Sequence, residues 1–452
     1  MARPVLLVNS SRLFASSSSY TLPRLSLALQ ARGCLTRSVT ARRVASPLIS
    51  TSRRNFTSSV ATMAPAAETP NSNGGPQNAW IGGKSSAAFD LRSDVVTRPT
   101  LAMLEAVQSC SLLDDVFQED TVTNDLEAYV AKRAGKEAGL FVLSGTMGNQ
   151  LAMRSLLTQP PHSVICDYRA HLYTSEAGGL ATLSGGQITP VVPKNGRYLT
   201  LEDVMANATL DDDVHGCPTR VISLENTLHG MVTPLSEVKR IAEFAREYGI
   251  KMHCDGARLW EAVVSGAGSL PEFCSHFDTI SLCLSKGLGA PVGSILVGPK
   301  ETLKHARWVR KSIGGGLRQT GIVTSAGRVA VEQTFGSSPT GSDGLLKQSH
   351  EMARKVDDLW TSMGGKVAEP TETNMCWLDL EAAGCSQKRL IECGAEAGLK
   401  FMCNRLVTHY QVAQNEDEVL RRLRVAFEKI LASGEDLSVT QKVGKSSVYR
   451  PE

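Results

Sequence analysis

The chain has 452 residues, of which 42% are hydrophobic and 21% are charged, a composition typical of a globular protein with a sizeable core. No apolar run approaches the roughly 18 residues that span a bilayer, which argues against a membrane-spanning protein. The net charge of +3 is unevenly distributed, because residues 1–62 contain nine arginines and no acidic residue. The rest of the chain is mildly acidic and shows no basic stripe of the kind that binds nucleic acid.

Residues 1–63 are rich in arginine and serine, which is the composition of a mitochondrial transit peptide. We expect this segment to direct the protein to the mitochondrial matrix; a disordered tail without a targeting role is the simpler alternative. Arg54 lies two residues before Phe56, a loose similarity to the two-step processing sites of matrix proteins. Met63 could equally start a shorter cytosolic form, and the sequence leaves both products open.

The composition also marks the other segment boundaries. Residues 64–87 are rich in proline, glycine, serine and asparagine, which predicts a flexible linker. We expect residues 88–335 to form a large α/β domain and residues 336–440 a smaller α+β domain, because a loop rich in glycine and serine lies between them. Residues 441–452 are expected to be disordered.

Short apolar strands alternate with helices along the large domain. Helices are predicted at 100–110, 122–134, 146–157 and 235–249, and strands near 138–143, 163–167, 220–226, 250–256, 280–284 and 294–297. This alternation predicts an α/β fold with a mainly parallel central sheet and helices on both faces. In such sheets, ligands bind at the carboxyl ends of the strands.

The 11 cysteines are scattered and lack the paired spacing of zinc sites. Several of them lie within predicted strands, where they suit small core positions in a reducing compartment. We therefore expect neither disulfides nor a metal site.

Residues that suit a cofactor follow several of these strands. Ser144, Gly145 and Thr146 form a strand-to-helix turn whose N–H groups and helix dipole could hold a phosphate, although the same residues make an ordinary helix cap. Asp255 ends an apolar strand, where an acid needs a partner. Lys286 follows another strand; a neutral lysine amine forms Schiff bases, and a solvated turn is the simpler alternative.

The order of these features indicates pyridoxal 5'-phosphate (PLP). The lysine would hold the cofactor as a Schiff base, the aspartate would pair with the protonated ring nitrogen, and the turn would hold the phosphate. Each feature is weak evidence alone, but the three in this order support one another. We therefore predict PLP as the cofactor.

Several segments resemble the L-threonine aldolases of the low-specificity, fungal-like type. The match covers about residues 88–435, and the segments that carry it are "DLRSDVVTRPT", "FVLSGTMGNQ", "DYRAHLYTSEAGG", "SLENTLHG", "HCDGARLW", "SLCLSKGLGAPVGS", "GGGLRQTG" and "RLVTHYQV". The resemblance implies the aminotransferase-like, fold type I architecture of PLP enzymes. It also implies a carbon–carbon lyase that cleaves L-threonine and L-allo-threonine to glycine and acetaldehyde, in threonine catabolism and glycine biosynthesis.

The resemblance implies a role for each matching residue at the cofactor. Lys286 would be the Schiff-base lysine, and Asp255 would pair with the ring nitrogen. Gly145 and Thr146 would hold the phosphate. Arg258 would lie near the ring oxygen of the cofactor and near the substrate.

Further matches concern the substrate and the assembly. His171 would stack on the cofactor ring, although a histidine in a protein core is the simpler alternative. Ser93 and Arg405 would bind the substrate carboxylate. Lys311 and Arg318 would reach the site from a neighbouring subunit, so the resemblance implies a homotetramer, a dimer of dimers with shared active sites. A small amino acid is the expected partner, with no nucleic acid and no membrane.

The base and the substrate range stay open. His215 matches a second pocket histidine of the family, although it lies in an acidic loop where it could be solvated. The base for the β-hydroxyl proton could be His171, His215 or an ordered water. Where the family commonly has a tyrosine, this chain has Phe117, which cannot hydrogen-bond the substrate. The preference between threonine and allo-threonine therefore stays open.

Two rival functions remain. Another PLP reaction on the same scaffold, such as alanine racemisation, would break Cα–H in place of Cα–Cβ, and only a few pocket groups decide between the two. A scaffold without activity is the other rival. Such proteins usually lose the lysine or the aspartate, and this chain keeps Lys286 and Asp255.

Overall fold

The computed structural model describes residues 86–434. The predicted leader (1–63), the predicted tail (441–452) and nearly all of the predicted linker (64–87) lie outside these residues. Within the described part of the chain, no helix is both long enough and apolar enough to cross a membrane.

A seven-stranded sheet forms the centre of the fold. Its strands are β1 (Ala138–Val142), β2 (Ser163–Asp167), β3 (Gln187–Val191), β4 (Thr219–Glu225), β5 (Lys251–Gly256), β6 (Thr279–Cys283) and β7 (Ser294–Gly298). Their order is β1-β7-β6-β5-β4-β2-β3, and only β7 runs against its neighbours. The predicted mainly parallel sheet is confirmed.

Helices cover both faces of this sheet. The helices of this part are α1 (Leu101–Gln108), α2 (Thr121–Arg133), α3 (Gly145–Leu156), α4 (His171–Thr174), α5 (Leu201–Asn207), α6 (Leu235–Glu247), α7 (Leu259–Val264), α8 (Leu270–Ser275), α9 (Lys300–Ser312) and α10 (Gly321–Val329). Leu140 and Val142 pack into one buried cluster with α3 and α9, whereas Phe141 packs into the other, because alternate residues of a strand face opposite sides.

A second, smaller sheet follows along the chain. Its strands β8 (Val367–Glu369), β9 (Met375–Leu378) and β10 (Arg405–Val407) are antiparallel in the order β10-β9-β8. Its helices are α11 (Leu346–Ser362), α12 (Gln387–Glu396), α13 (Tyr410–Ala413) and α14 (Glu416–Leu431). These elements share a separate core, in which the Trp360 and Phe427 ring centroids lie 4.9 Å apart.

The segment before α1 packs against this smaller core. Leu91 is buried in it, the Leu91 N–H donates to the Lys400 carbonyl at 3.0 Å, and the Val407 N–H donates to the Leu91 carbonyl at 2.9 Å. Residues at the start of the large domain predicted at 88–335 therefore belong physically with the smaller sheet. The exact boundary at 335/336 stays a prediction.

The sheet brings several strand ends to one edge. Glu225 pairs with Asp255 across β4 and β5, and Asp255 pairs with Ser281 across β5 and β6. Because β1 runs parallel to β6, the helix that follows β1 also begins at this edge. The turn at Lys286 follows β6 there, so the carboxyl edge collects Asp255, Lys286 and the start of the helix at Gly145.

Candidate active site

Asp255 is a buried carboxylate near the end of β5. Its Oδ2 accepts a hydrogen bond from Asn149 Nδ2 of α3 at 2.8 Å, and its Oδ1 accepts one from the Ala257 N–H at 3.0 Å. The two donors orient the carboxylate, and a carboxylate held in this way suits a cationic ring nitrogen. The strand-end position predicted for Asp255 is therefore the one that the fold provides.

His171 begins α4, directly after β2, and lies beside Asp255. Its ring Nδ1 is 2.9 Å from Glu176 Oε1, and its backbone N–H donates to Glu225 Oε2 at 2.8 Å. Ligand atoms of His171, Glu176 and Asp255 all lie within 4.8 Å of one another. The hydrogen bond to Glu176, opposed by burial, raises the pKa of His171, and the negative charges of Asp255, Glu176 and Glu225 add to this effect.

These three residues have the spacing of a possible metal site. Their ligand atoms, however, already receive hydrogen bonds from one another and from Asn149. These hydrogen bonds account for the close approach of the three residues without a metal ion. His171 lies beside Asp255, the carboxylate predicted to pair with the ring nitrogen, and its own position against the ring stays a prediction.

Lys286 lies in the tight turn that follows β6 and is half-buried. Its carbonyl accepts hydrogen bonds from Thr97 Oγ1 and from the Gly289 N–H, both at 2.9 Å. Gly289 has φ +84°, and a Cβ there would also overlap the Tyr410 hydroxyl. The turn therefore depends on glycine, and it carries the lysine at the carboxyl edge of the sheet.

Arg258 lies next to the site and forms an ion pair that the sequence analysis did not predict. Its Nε and Nη2 donate to Asp94 Oδ2 and Oδ1 at 2.8 and 2.6 Å, and both side chains are buried. Burial would raise the pKa of Asp94, but the charges of Arg258, Lys286 and Arg405 hold it well below its usual range. Asp94 therefore lies close to the three positively charged side chains of the site.

Arg405, the first residue of β10, is a buried guanidinium with spare hydrogen-bonding capacity. Its Nη2 donates to the Arg92 carbonyl at 3.3 Å, and its Cζ lies 5.8 Å from the centre of a Trp377 ring. Its buried Nε has no hydrogen-bond partner within residues 86–434. An unpaired buried donor on a guanidinium suits a carboxylate ligand.

Ser93 is buried beside these groups but already has partners. Its Oγ lies 3.4 Å from Asp94 Oδ1 and accepts a hydrogen bond from the Val95 N–H at 3.4 Å. Both contacts are long, so the hydroxyl could exchange them for a ligand. Ser93 also directly follows Arg92, whose carbonyl Arg405 contacts.

The predicted phosphate end lies at the start of α3. Ser144 caps this helix, because its Oγ accepts a hydrogen bond from the Met147 N–H at 3.1 Å, and Gly145 and Thr146 follow half-exposed. The buried Oγ of Ser294 lacks a hydrogen-bond partner in the described structure, and it lies 3.8 Å from where a Cβ on Gly145 would be. Free N–H groups and an unpaired hydroxyl fit a phosphate.

Other predicted residues lie on an exposed surface of the chain. Arg318 is 60% exposed and its Nη1 donates to Asp114 Oδ2 at 2.7 Å, while Phe117 is 69% exposed on the same loop as Asp114. Lys311 is exposed at the end of α9. Their predicted contacts with a cofactor or substrate would require a second subunit, so these roles stay predictions.

His215 does not join the group at the carboxyl edge within one chain. It lies in the loop before β4, at the amino end of that strand, and its Nδ1 is 2.8 Å from Asp213 Oδ1. Its side chain is 89% exposed. The expectation that His215 lines the same pocket is therefore not met in a single chain, because the loop starts at the opposite edge of the sheet.

Several groups of the site were missed by the sequence analysis. Burial and the neighbouring Asp255 raise the pKa of Glu225 well above its usual range. His229 stacks on Trp377 with ring centroids 5.7 Å apart, and burial together with Arg405 and other cations lowers its pKa to about 4. Both residues lie in "SLENTLHG", a segment whose resemblance was noted without assigning a role to either.

The groups present fit PLP. The carboxyl edge provides a lysine, an oriented carboxylate and a helix N-terminus with an unpaired buried hydroxyl nearby, and β10 of the smaller sheet adds a guanidinium with an unpaired Nε. These donors and acceptors match an aldehyde, a ring nitrogen, a phosphate and an amino-acid carboxylate.

Comparison with known proteins identifies the family of the chain. Residues 90–383 match the family model described as Beta-eliminating lyase. The chain is 55% identical over 348 residues to the aldolase vrtJ of Penicillium aethiopicum, covering 77% of this chain and 87% of that protein. It is 43% identical over 368 residues to the low specificity L-threonine aldolase of Saccharomyces cerevisiae, covering 81% and 92%.

A relative with a different name is equally similar. The chain is 45% identical over 334 residues to the alanine racemase TOXG of Cochliobolus carbonum, covering 74% of this chain and 86% of that protein. The fold matches the solved threonine aldolase of Leishmania major with a TM-score of 0.64 at 18% identity, covering 76% and 99%. The resemblance to the threonine aldolases and the predicted fold class are confirmed.

Proposed function

The chain belongs to the beta-eliminating lyase family, whose members depend on PLP, and from this premise we propose that it cleaves L-threonine and L-allo-threonine to glycine and acetaldehyde. The observation that carries the proposal is that Asp255 pairs with β6, the strand that Lys286 follows, while Lys286 and the incompletely paired Arg405 both act electrostatically on Asp94. These residues would provide covalent attachment for PLP, a partner for its ring nitrogen and an anchor for the substrate carboxylate. The identity to a named threonine aldolase supports the choice of substrate.

Four residues of the chain would hold the cofactor. Lys286 would bind it covalently, Asp255 would pair with its ring nitrogen, and the N–H groups of Gly145 and Thr146 would receive its phosphate. When bound, PLP supplies a ring that accepts electrons from the amino-acid Cα. The protein provides the orientation that decides which bond at Cα breaks.

Arg405 and Ser93 would orient the substrate. The unpaired Nε and an Nη of Arg405 form a fork that matches a carboxylate, and Ser93 Oγ can donate beside it. Once the carboxylate is fixed, the Cα–Cβ bond can be held in the direction that overlaps the ring system. Misplacing the carboxylate would slow the cleavage even if the cofactor were bound normally.

His171 would take the β-hydroxyl proton. Its Nδ1 bonds Glu176, so Nε2 is the nitrogen left for the substrate. As the proton moves from the hydroxyl oxygen to Nε2, the oxygen forms a carbonyl with Cβ and the Cα–Cβ bond breaks. The electron pair of that bond stays at Cα, which then takes a proton to give glycine. An ordered water remains the alternative base.

The proposal is tested with the full chain and PLP. L-threonine and L-allo-threonine are supplied separately, and acetaldehyde and glycine are measured. We expect equal amounts of both products, and no activity in Lys286→Ala. The matched control is Lys239→Ala on the exposed face of α6, which should retain activity. A pure protein that binds PLP but releases no acetaldehyde would contradict the proposal.

Alanine racemisation is the second candidate, because a named alanine racemase is 45% identical to this chain. It would use the same anchors but break Cα–H. Incubation with L-alanine separates the two activities, since a racemase yields D-alanine and an aldolase yields none. D-alanine without acetaldehyde would favour the racemase.

We also propose a homotetramer with shared active sites, and a mitochondrial location through residues 1–63. The first proposal is supported by the exposure of Arg318, Lys311 and Phe117, which have no pocket role within one chain. The second is supported by the nine arginines without acids in residues 1–62. A role in threonine catabolism and glycine biosynthesis would follow from the aldolase activity.

A further inference from the structure

A buried asparagine joins the two carboxylates that face the cofactor region. Asn149 Nδ2 lies 2.8 Å from Asp255 Oδ2 and 2.8 Å from Glu176 Oε1. Both carboxylates are buried, and they come from different parts of the chain. One amide group with two hydrogens can serve both, so the Asn149 amide acts as a bridge between them.

The directions of these hydrogen bonds are determined by chemistry. Because the Asn149 amide nitrogen donates to two acids, its Oδ1 must accept from His253 Nε2, which lies 3.1 Å away. His253 Nδ1 lies 2.8 Å from Thr279 Oγ1. Burial lowers the pKa of His253 to about 4, so this ring is neutral and carries its proton on Nε2. In this series of hydrogen bonds, which runs from Thr279 through His253 to Asn149, every donor therefore points towards the two carboxylates.

Glu176 receives the largest number of these donors. Its Oε2 accepts from Gln150 Nε2 at 2.6 Å, and its Oε1 accepts from Asn149 and lies 2.9 Å from His171 Nδ1. Its side chain is fully buried. A buried carboxylate surrounded by donors is satisfied when His171 also presents a hydrogen, which requires the proton on Nδ1.

We propose that Glu176 is a positioning residue that orients His171 and holds a proton on its Nδ1, and that Asn149 ties Glu176 to Asp255. The histidine at the reacting centre and the carboxylate for the ring nitrogen are then one hydrogen-bonded unit. The charged groups that face His171 are Glu176, Asp255 of β5 and Glu225 of β4, and all three favour its protonated form. The inference rests on the proposed function only for the role of His171 in the reaction.

The variant Glu176→Gln tests the negative charge of Glu176 while keeping the shape of its side chain. The amide can still accept from His171 Nδ1, so the ring keeps its orientation, but the negative charge is lost. In holoenzyme with 13C-labelled histidine, we expect the NMR titration midpoint of His171 to fall by about one pH unit. The resonance is assigned by its loss in His171→Asn. The low-pH limb of the activity profile should move in the same direction.

The matched control is Glu202→Gln, which removes an acid from the protein surface. It should leave the His171 midpoint unchanged. A His171 midpoint in Glu176→Gln equal to that of the wild type would overturn the proposal. Because Gln has the same shape as Glu, this variant is expected to fold, and thermal unfolding checks that it does.

Asn149→Leu tests the bridge. Loss of a donor to Asp255 should weaken PLP binding at least about tenfold, measured by equilibrium dialysis. Loss of a donor to Glu176 lets that carboxylate interact more strongly with the histidine proton. The titration midpoint of His171 should therefore rise, whereas Glu176→Gln should lower it. Asn207→Ala, which removes an amide that donates to a backbone carbonyl far from the site, is the control.

Unchanged PLP affinity together with an unchanged His171 midpoint in folded Asn149→Leu would refute the bridge. Should this variant unfold, the Glu176→Gln titration still decides the role of Glu176. Neither the NMR titration nor the dialysis needs a substrate. Failure of the aldolase proposal and failure of this inference can therefore be told apart.

Discussion

Asp94 holds the Arg258 guanidinium by two hydrogen bonds of 2.8 and 2.6 Å in a fully buried ion pair. The pair links the segment that packs with the smaller core to the residue that follows β5 of the large sheet. Asp94 also supplies the negative charge that faces Lys286 and Arg405. It therefore partly neutralises the positive charges of Arg258, Lys286 and Arg405.

Asp94→Asn should destabilise the protein strongly. The amide keeps the shape but removes the negative charge that accepts both hydrogen bonds from the buried Arg258, and breaking a buried pair typically costs about 3 to 5 kcal/mol of unfolding free energy. Urea unfolding at neutral pH measures this. Asp213→Asn, which changes an acid paired with the exposed His215, is the control and should cost little. A loss no larger than that of the control would mean that Arg258 finds another partner.

Arg405→Lys should impair substrate binding more than cofactor binding. A lysine keeps the positive charge but loses the two-point fork, so we expect KM for L-threonine to rise about tenfold or more. The PLP dissociation constant should stay close to the wild-type value. Arg421→Lys on the exposed face of α14 is the matched control. A variant with normal KM would show that Arg405 does not anchor the substrate.

His229 should make stability depend on pH. In the folded chain its pKa is about 4, lowered mainly by burial, whereas the ordinary value is 6.5. Between these values the unfolded chain binds a proton that the folded chain does not, so the free energy of unfolding falls as pH falls from 6.5 to 4. The loss from this one group should be about 3 kcal/mol.

His229→Asn should remove that part of the pH dependence. Asparagine tolerates the positive φ of +55° found at this position. Unfolding free energies are measured by urea at pH 6.5 and at pH 4 in the wild type, in His229→Asn and in His215→Asn. His215→Asn, in the exposed loop before β4, is the control, and this variant should follow the wild type. Equal pH slopes for His229→Asn and the wild type would contradict the assignment.

The leader should be required for mitochondrial import. The full chain with a C-terminal fluorescent protein should co-localise with mitochondria, and a variant with the nine arginines of residues 1–62 changed to glutamine should not. A chain that starts at Met63 should stay in the cytosol. Mitochondrial fluorescence of the glutamine variant would show that the arginines are not the signal.

The sequence allowed the carboxyl-edge arrangement to be predicted because strand ends are local features. Asp255 and Lys286 each directly follow an apolar run, and parallel strands bring such ends together. Strand β3 was missed because it is an edge strand that contains Pro190 and buries little besides Val191. An edge strand lacks the buried apolar run on which the prediction relied.

The side-chain pairs inside the site could not be predicted from the sequence, because they join residues that are far apart along the chain. Asp94 and Arg258 are 164 positions apart, and Asn149 and Asp255 are 106 apart. In the sequence, Glu176 and Asn149 look like ordinary polar residues of a loop and a helix. His215 illustrates the converse, since a matching residue type did not reveal at which edge of the sheet its loop would lie.

Shared active sites predict recovery of activity from two inactive variants. If Arg318 serves the site of a neighbouring subunit, Lys286→Ala and Arg318→Ala chains expressed together should form mixed assemblies. In these, the Arg318→Ala chain provides the intact lysine and the Lys286→Ala chain provides the intact arginine. With random pairing, about a quarter of the wild-type activity should return.

The matched control combines Lys286→Ala with Asp255→Asn. Both residues lie at the edge of the same sheet in one chain, so no mixed assembly contains an intact site and no activity should return. Recovery in this control would indicate an artefact of mixing. No recovery from the first pair, despite mixed assemblies seen by native mass spectrometry, would place Arg318 outside the neighbouring site. Its 2.7 Å bond to Asp114 would then be a purely local contact that orders its own loop.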